Sequence, residues 1–140
     1  MNISLEERIE IAKKLHKSGY NCAQTVACAF AEDYGMDKET LLKVSEAFGG
    51  GMAMQSVCGA VTGMLILAGL ECADGNVDNP KTKGKTYKLV KALEKEFEET
   101  NGTLICKELK SGNGSNGVVS CNTCIETAVA MYHRYLSEEK

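Results

Sequence analysis

Seven cysteines punctuate the 140-residue chain, and five of them stand where a helix is expected to begin. Cys22 follows the capping residue Asn21, Cys58 follows a glycine-rich stretch, Cys106 comes three residues after Thr103, and Cys121 and Cys124 follow Ser120. At a helix N-terminus the unpaired amides and the positive end of the macrodipole favour an anion, so a thiolate is stabilised relative to its thiol. The effect is modest. A terminus contributes ~0.3–1 kcal/mol, at most ~2, and one pKa unit is about 1.4 kcal/mol, which takes a thiol from about 8.5 to about 7–8. Such a thiol is a competent nucleophile, but several thiolates brought together repel one another and all but one are reprotonated. If the five converge, the stable outcomes are a disulfide, which removes the charge, or a zinc ion or iron–sulfur cluster, which neutralises it. Cys22, Cys58, Cys106 and Cys124 are therefore the candidate reactive thiols and, in the alternative reading, the candidate metal ligands. Cys121 is a fifth candidate. Cys28 and Cys72 lie away from helix starts and read as small hydrophobic core residues.

Cys121-Asn122-Thr123-Cys124 is a C-x-x-C at the head of a helix. Positions i and i+3 share a helix face with Cβ atoms about 5–6 Å apart, wider than the ~3.5–4.5 Å of a disulfide. Slight fraying of the first turn would close the gap. A thioredoxin-like reading needs a βαβ setting, and no segment of useful length alternates with period two.

The elements that must position these thiols are legible from caps. Ser4 and Glu7 form a capping box ahead of Leu5, Ile9, Ala12 and Leu15, with Gly19 as the stop. Asn21 opens a second helix whose period runs through Ala23, Val26, Ala27, Phe30 and Tyr34 to Gly35. Asp37 opens a third, through Leu41, Val44 and Phe48 to Gly49-Gly50-Gly51. Val57 to Glu71 is apolar on all sides and reads as a buried helix, with Gly59 and Gly63 spaced to admit a close neighbour. Asn79-Pro80 heads a helix carrying Tyr87, Val90, Leu93 and Phe97 inward. Thr103 caps a short helix containing Cys106 and Leu109, and Ser111 to Gly117 is a flexible loop. Ser120 caps the last helix, with Cys121, Cys124, Ile125, Ala128, Tyr132 and Tyr135 inward. The prediction is an all-α, single-domain bundle of six or seven helices spanning residues 1–140.

These motifs carry a family resemblance. Gly19-Tyr20-Asn21-Cys22-Ala23-Gln24, the turn Phe48-Gly49-Gly50-Gly51-Met52, Cys58-Gly59-Ala60-Val61-Thr62-Gly63, the isolated Cys106 and a cysteine opening the last helix resemble the short C-GCAxxG-C-C proteins, a family described as redox-active. The resemblance implies a helical domain whose redox-active cysteines are Cys22, Cys58, Cys106 and Cys124. Cys121 is then an addition to the pattern.

Other signals are weaker. Gly49, Gly50 and Gly51, with Gly59, form either a plain turn or a loop beside a cofactor, although the spacing is not that of a dinucleotide or P-loop fingerprint. Met52, Met54 and Met64 read as core filling. His16 and His133 lie outside ligand spacing of any cysteine on their own helices, which argues against a Cys/His zinc finger. Lys81, Lys83, Lys85, Lys88 and Lys91 precede Glu94, Glu96, Glu98 and Glu99 on one helix, a solvated face whose charges oppose the helix dipole.

Composition sets the outer limits. Apolar residues are 44% and charged residues 25% of the chain, an ordinary globular balance. A net charge of −3, from 16 basic and 19 acidic residues, excludes a binder that neutralises many phosphates. The apolar stretch is shorter than the about 20 residues a bilayer crossing needs. Residues 1–10 lack a basic-then-apolar leader pattern, which points to the cytoplasm, where thiols stay reduced. No hydrolase triad, H-E-x-x-H or paired-carboxylate spacing occurs. The expected function is thiol/disulfide redox chemistry with an unspecified redox partner. The alternatives are a zinc or iron–sulfur electron carrier and a structural helical interaction domain. The all-round apolar helix suggests a homodimer.

Overall fold

The computed structural model describes residues 3–139, which fold into seven helices with no strand among them: α1 (Leu5–Lys17), α2 (Cys22–Cys28), α3 (Lys38–Ser45), α4 (Gly59–Cys72), α5 (Lys83–Asn101), α6 (Cys106–Ser111) and α7 (Cys121–Glu139). α4 is the hub, packed against α2, α5 and α7, while α1 lies on α7 and α2, and α3 on α2. Its sequence accounts for that position. Ala60, Val61, Met64, Leu67 and Ala68 are fully buried, and no residue of α4 is exposed, so this helix has no polar face to offer solvent. None of the helices is long and apolar enough to cross a membrane.

The α2–α4 crossing depends on glycine. A Cβ on Gly59 would come within 2.2 Å of the Cys22 sulfur, and one on Gly63 within 2.9 Å of both the Ala23 carbonyl oxygen and Val26 Cβ. The four-residue spacing places both glycines on one face, as expected, and the bare backbone brings the two helix starts together.

Four caps form as anticipated. Ser4 and Asn21 each close a capping box, with Glu7 and Gln24. Asp37 accepts from the Thr40 amide, and Ser120 from the Thr123 amide. Elsewhere the helices are shorter than their periodicity suggests. α2 stops at Cys28, and the chain tightens through Ala27–Phe30 and Cys28–Ala31 hydrogen bonds of 3.2 Å each. This tightening leaves the Ala29 carbonyl outside the helical ladder, free to accept from Arg8 at 2.8 Å. α3 ends at Ser45 and tightens into a short turn over Glu46–Phe48. α5 begins at Lys83 and not at Pro80. The Asn76 side chain holds the amides of Asp78 and Asn79 in a turn, and the lysines that follow do nothing to favour an earlier helix start. Ile105, rather than Thr103, precedes α6; the Thr103 hydroxyl accepts from the Ile105 amide and donates to Glu108.

Several side chains face differently from expectation. Tyr87 is exposed, Met54 is exposed and Met52 half-buried, so of the three methionines expected in the core only Met64 fills it. Arg8, in contrast, is buried. Its guanidinium forms a fork on Asp33 at 2.7 and 2.9 Å and lies 4.2 Å over the Phe30 ring.

Candidate functional site

Each candidate cysteine owes its position to a helix start. Cys22, Cys106 and Cys121 are the first residues of α2, α6 and α7, Cys58 is the residue before α4, and Cys124 lies one turn into α7. A short antiparallel bridge between Val57 and Ile105 fixes two of these starts together. The Cys58 amide donates to the Leu104 carbonyl at 2.7 Å, and the Cys106 amide to the Ser56 carbonyl at 2.6 Å. Cys22 is brought over Gly59 by the glycine crossing, and α7 packs on both α4 and α2.

The result is one small cavity lined by Cys22, Cys58, Cys106, Cys121 and Cys124 together with Gly50, Gly59, Leu109, Lys110 and Val119. Its interior is about 30 Å³, room for a water molecule but not for an organic substrate. All seven cysteines are free thiols. Cys28 and Cys72, expected as core residues, are buried away from this cavity. Cys121, expected on the inward face of the last helix, is exposed; it touches the cavity from the rim because the first turn of α7 has no neighbour on its outer side.

The thiols differ in electrostatics. Cys58 is lowered to about 7, chiefly by a hydrogen bond from Cys124, against the cost of burial. The Ala60 and Val61 amides of the first turn of α4 point toward its sulfur and lower it further, without either closing to hydrogen-bond geometry, and Lys110 adds a positive charge. Cys124 is pushed up by the same shared proton, then by burial and by the neighbouring sulfurs. Burial also raises Cys22, opposed by the Gly50 amide, and raises Cys106, opposed by Lys110. One sulfur carries the charge and its neighbours hold their protons, as mutual repulsion requires.

The glycine-rich turn is structural in character. Gly50 lines the cavity and directs its amide at Cys22, Gly51 packs on Cys106 with φ +61°, and Gly49 lies against the Asn21 side chain. A Cβ on Gly51 would sit 2.5 Å from the Ser56 nitrogen, so the turn needs glycine for both space and backbone sign. The left-handed conformation continues into Met52, Ala53 and Gln55, with φ of 59°, 61° and 55°.

Among the described residues no three His, Cys, Asp or Glu side chains form a group that could hold a metal ion. Lys110, which lines the cavity and whose charge lowers Cys58 and Cys106, is the lining cation that the sequence reading did not single out. It lies four residues after Cys106 on α6 and so shares its face, a spacing that could have revealed it.

The family model described as "Putative redox-active protein (C_GCAxxG_C_C)" matches residues 20–135. The chain belongs to this family. All five cavity cysteines fall within the span matched to the C_GCAxxG_C_C proteins. No curated protein and no solved structure is detectably similar to it.

Proposed function

We propose that the protein exchanges disulfides through a reacting pair formed by Cys58 and Cys124. The observation that carries this reading is convergence: Cys58 and Cys124, from the starts of α4 and α7, line one small cavity, and Cys124 is the largest influence lowering Cys58 to about 7. A thiol whose pKa lies near ambient pH balances thiolate fraction against nucleophilicity.

The Cys58 thiolate attacks a disulfide of the redox partner. One partner sulfur leaves as a thiolate and the other remains bound to Cys58 as a mixed disulfide. Cys124 then loses its proton, attacks the Cys58 sulfur and expels the second partner thiol. Two electrons pass from the cysteine pair to the partner disulfide, and a Cys58–Cys124 disulfide remains. Cys22 and Cys106 flank the pair as protonated thiols. Mapping free thiols by mass spectrometry, before and after oxidation, tests the reading. Oxidised protein is expected to lose the Cys58 and Cys124 thiols together, and a Cys58→Ser variant to form no disulfide joining the start of α4 to α7. An unchanged set of free thiols after oxidation would refute it.

A further inference from the structure

The cavity raises an access problem that the disulfide-exchange reading does not solve by itself. Cys58 is 6% exposed, Cys106 6% and Cys124 2%, and an interior of about 30 Å³ admits no disulfide-bearing molecule. Cys22 is half-buried, but its sulfur is covered by the bare backbone of Gly59. Of the seven cysteines only Cys121 is exposed, and it is also the one exposed thiol that lines the cavity.

Building on the exchange reading, we propose that Cys121 is a further catalytic residue, the entry thiol that meets the external disulfide and relays its oxidising equivalents to the buried pair. Three features of the structure favour it. Cys121 and Cys124 occupy positions i and i+3 of the first turn of α7, so their Cβ atoms are about 5–6 Å apart and a frayed turn closes them into a disulfide. That turn is closed by Ser120 alone, whose side chain meets the Thr123 amide and hydroxyl at 3.1 and 3.0 Å and whose carbonyl accepts from the Cys124 amide at 3.0 Å, and it follows a stretch without regular structure. Cys124 in turn lines the same cavity as Cys58.

The relay balances at each step. Deprotonated Cys121 attacks a partner disulfide, forming a mixed disulfide and releasing one partner thiolate. Cys124, giving up its proton to solvent through the frayed turn, attacks the Cys121 sulfur; a Cys121–Cys124 disulfide forms and the second partner thiol leaves. The Cys58 thiolate then attacks Cys124, which makes the Cys58–Cys124 disulfide and returns Cys121 as a thiolate. Two electrons leave the buried pair and the external disulfide becomes two thiols.

Two probes separate this inference from the exchange reading. Hydrogen peroxide is an oxidant near the size of water, which takes two electrons from a dithiol and leaves as two water molecules; glutathione disulfide is the bulky one. With peroxide, wild-type and Cys121→Ser protein are both expected to form the Cys58–Cys124 disulfide. With glutathione disulfide the Cys121→Ser variant is expected to form it at least about tenfold more slowly, because reaction then waits on local opening of the cavity. A Cys124→Ser variant should trap glutathione on Cys121, located by peptide mass spectrometry. Equal rates for both proteins with glutathione disulfide, or glutathione trapped on Cys22 or Cys58, would overturn the relay. Failure of wild-type protein to form the buried disulfide with peroxide would instead overturn the exchange reading beneath it.

Discussion

α4 and α7 each carry a cavity cysteine at their first turn and a buried polar network further along, and the two places treat buried polar groups in opposite ways. In the network every strong group is matched. Arg8 is paired with Asp33, also donates to the Ala29 carbonyl, and meets His133 Nδ1 at 3.4 Å. Burial and the adjacent Arg8 charge lower the His133 pKa, so the ring stays neutral and can accept. Tyr34 donates to Glu71 at 2.8 Å, which makes Tyr132 the donor across the 2.6 Å Tyr–Tyr contact. At the cysteine cavity the buried sulfurs have neither covalent bond nor ion pair. Their compensation is partial, from one another, from nearby backbone amides, Gly50 among them, and from Lys110. Networks of the first kind hold a fold, whereas groups left partly unmatched are available for reaction.

If that division is real, the largest stability loss comes from the network. Arg8→Met leaves the Asp33 carboxylate buried without its partner and is expected to cost ~3–5 kcal/mol, read as a lower urea midpoint. The pH dependence of Cys58 alkylation in the folded protein should not move. A moved midpoint would show that the two places are coupled.

The second effect is electrostatic and belongs to the cavity. Hydrogen bonds to charged groups contribute ~1.5–3 kcal/mol, so Cys124→Ala should raise the alkylation midpoint of Cys58 from about 7 toward the ordinary thiol range. The sign for stability follows from the same shifts. Cys58 is lower in the folded than in the unfolded protein, so it adds stability above the unfolded value of about 8.5 that is lost as pH falls through about 7. Cys22, Cys106 and Cys124 are raised, and their contribution is present below the unfolded value and lost above it. Urea midpoints across pH should therefore peak between the two limits, and Cys58→Ser should flatten only the acid side.

Third comes packing. Gly59→Ala places a methyl 2.2 Å from the Cys22 sulfur, and overpacking of this kind costs ~1–3 kcal/mol. The sulfur must move, so Cys22 is expected to alkylate faster in the variant under native conditions. An unchanged Cys22 rate together with unchanged stability would mean that the crossing is looser than the structure places it.

Much of this was legible in the chain. Ser4, Asn21, Asp37 and Ser120 declare their helices through local hydrogen bonds, and the Gly59–Gly63 spacing declares the close crossing, because both signals act within a turn. Convergence of Cys22, Cys58, Cys106, Cys121 and Cys124 is not local; the sequence shows only that each stands at a helix start. Arg8 is harder still. Its spacing from Leu5 and Ala12 puts it on the apolar face of α1, but the partner that makes a charge tolerable there, Asp33, is 25 positions away, across a turn whose tightening at Ala29 no periodicity records. Cys121 fell on the wrong face for a related reason. The helical period assigns it inward, but in the first turn of α7 nothing packs outside it.

The smallest effect concerns the backbone. The non-glycine residues with positive φ among those described, Met52, Ala53 and Gln55, all lie in the loop that joins the Gly50–Gly51 turn to Ser56. A left-handed L-residue costs roughly 1–2 kcal/mol relative to glycine, so the cavity end of the molecule bears strain that the polar network does not. Ala53 is exposed, and Ala53→Gly removes little but the strain, offset in part by the greater freedom of glycine in the unfolded chain. A gain of about 0.5–1 kcal/mol in stability is expected. Because Gly51 from this loop packs on Cys106 and Ser56 accepts from its amide, relaxing the loop should also speed alkylation of Cys106. A stability loss in this variant would mean that the left-handed run is held by contacts of the Ala53 methyl, and the contrast in strain between the two places would disappear.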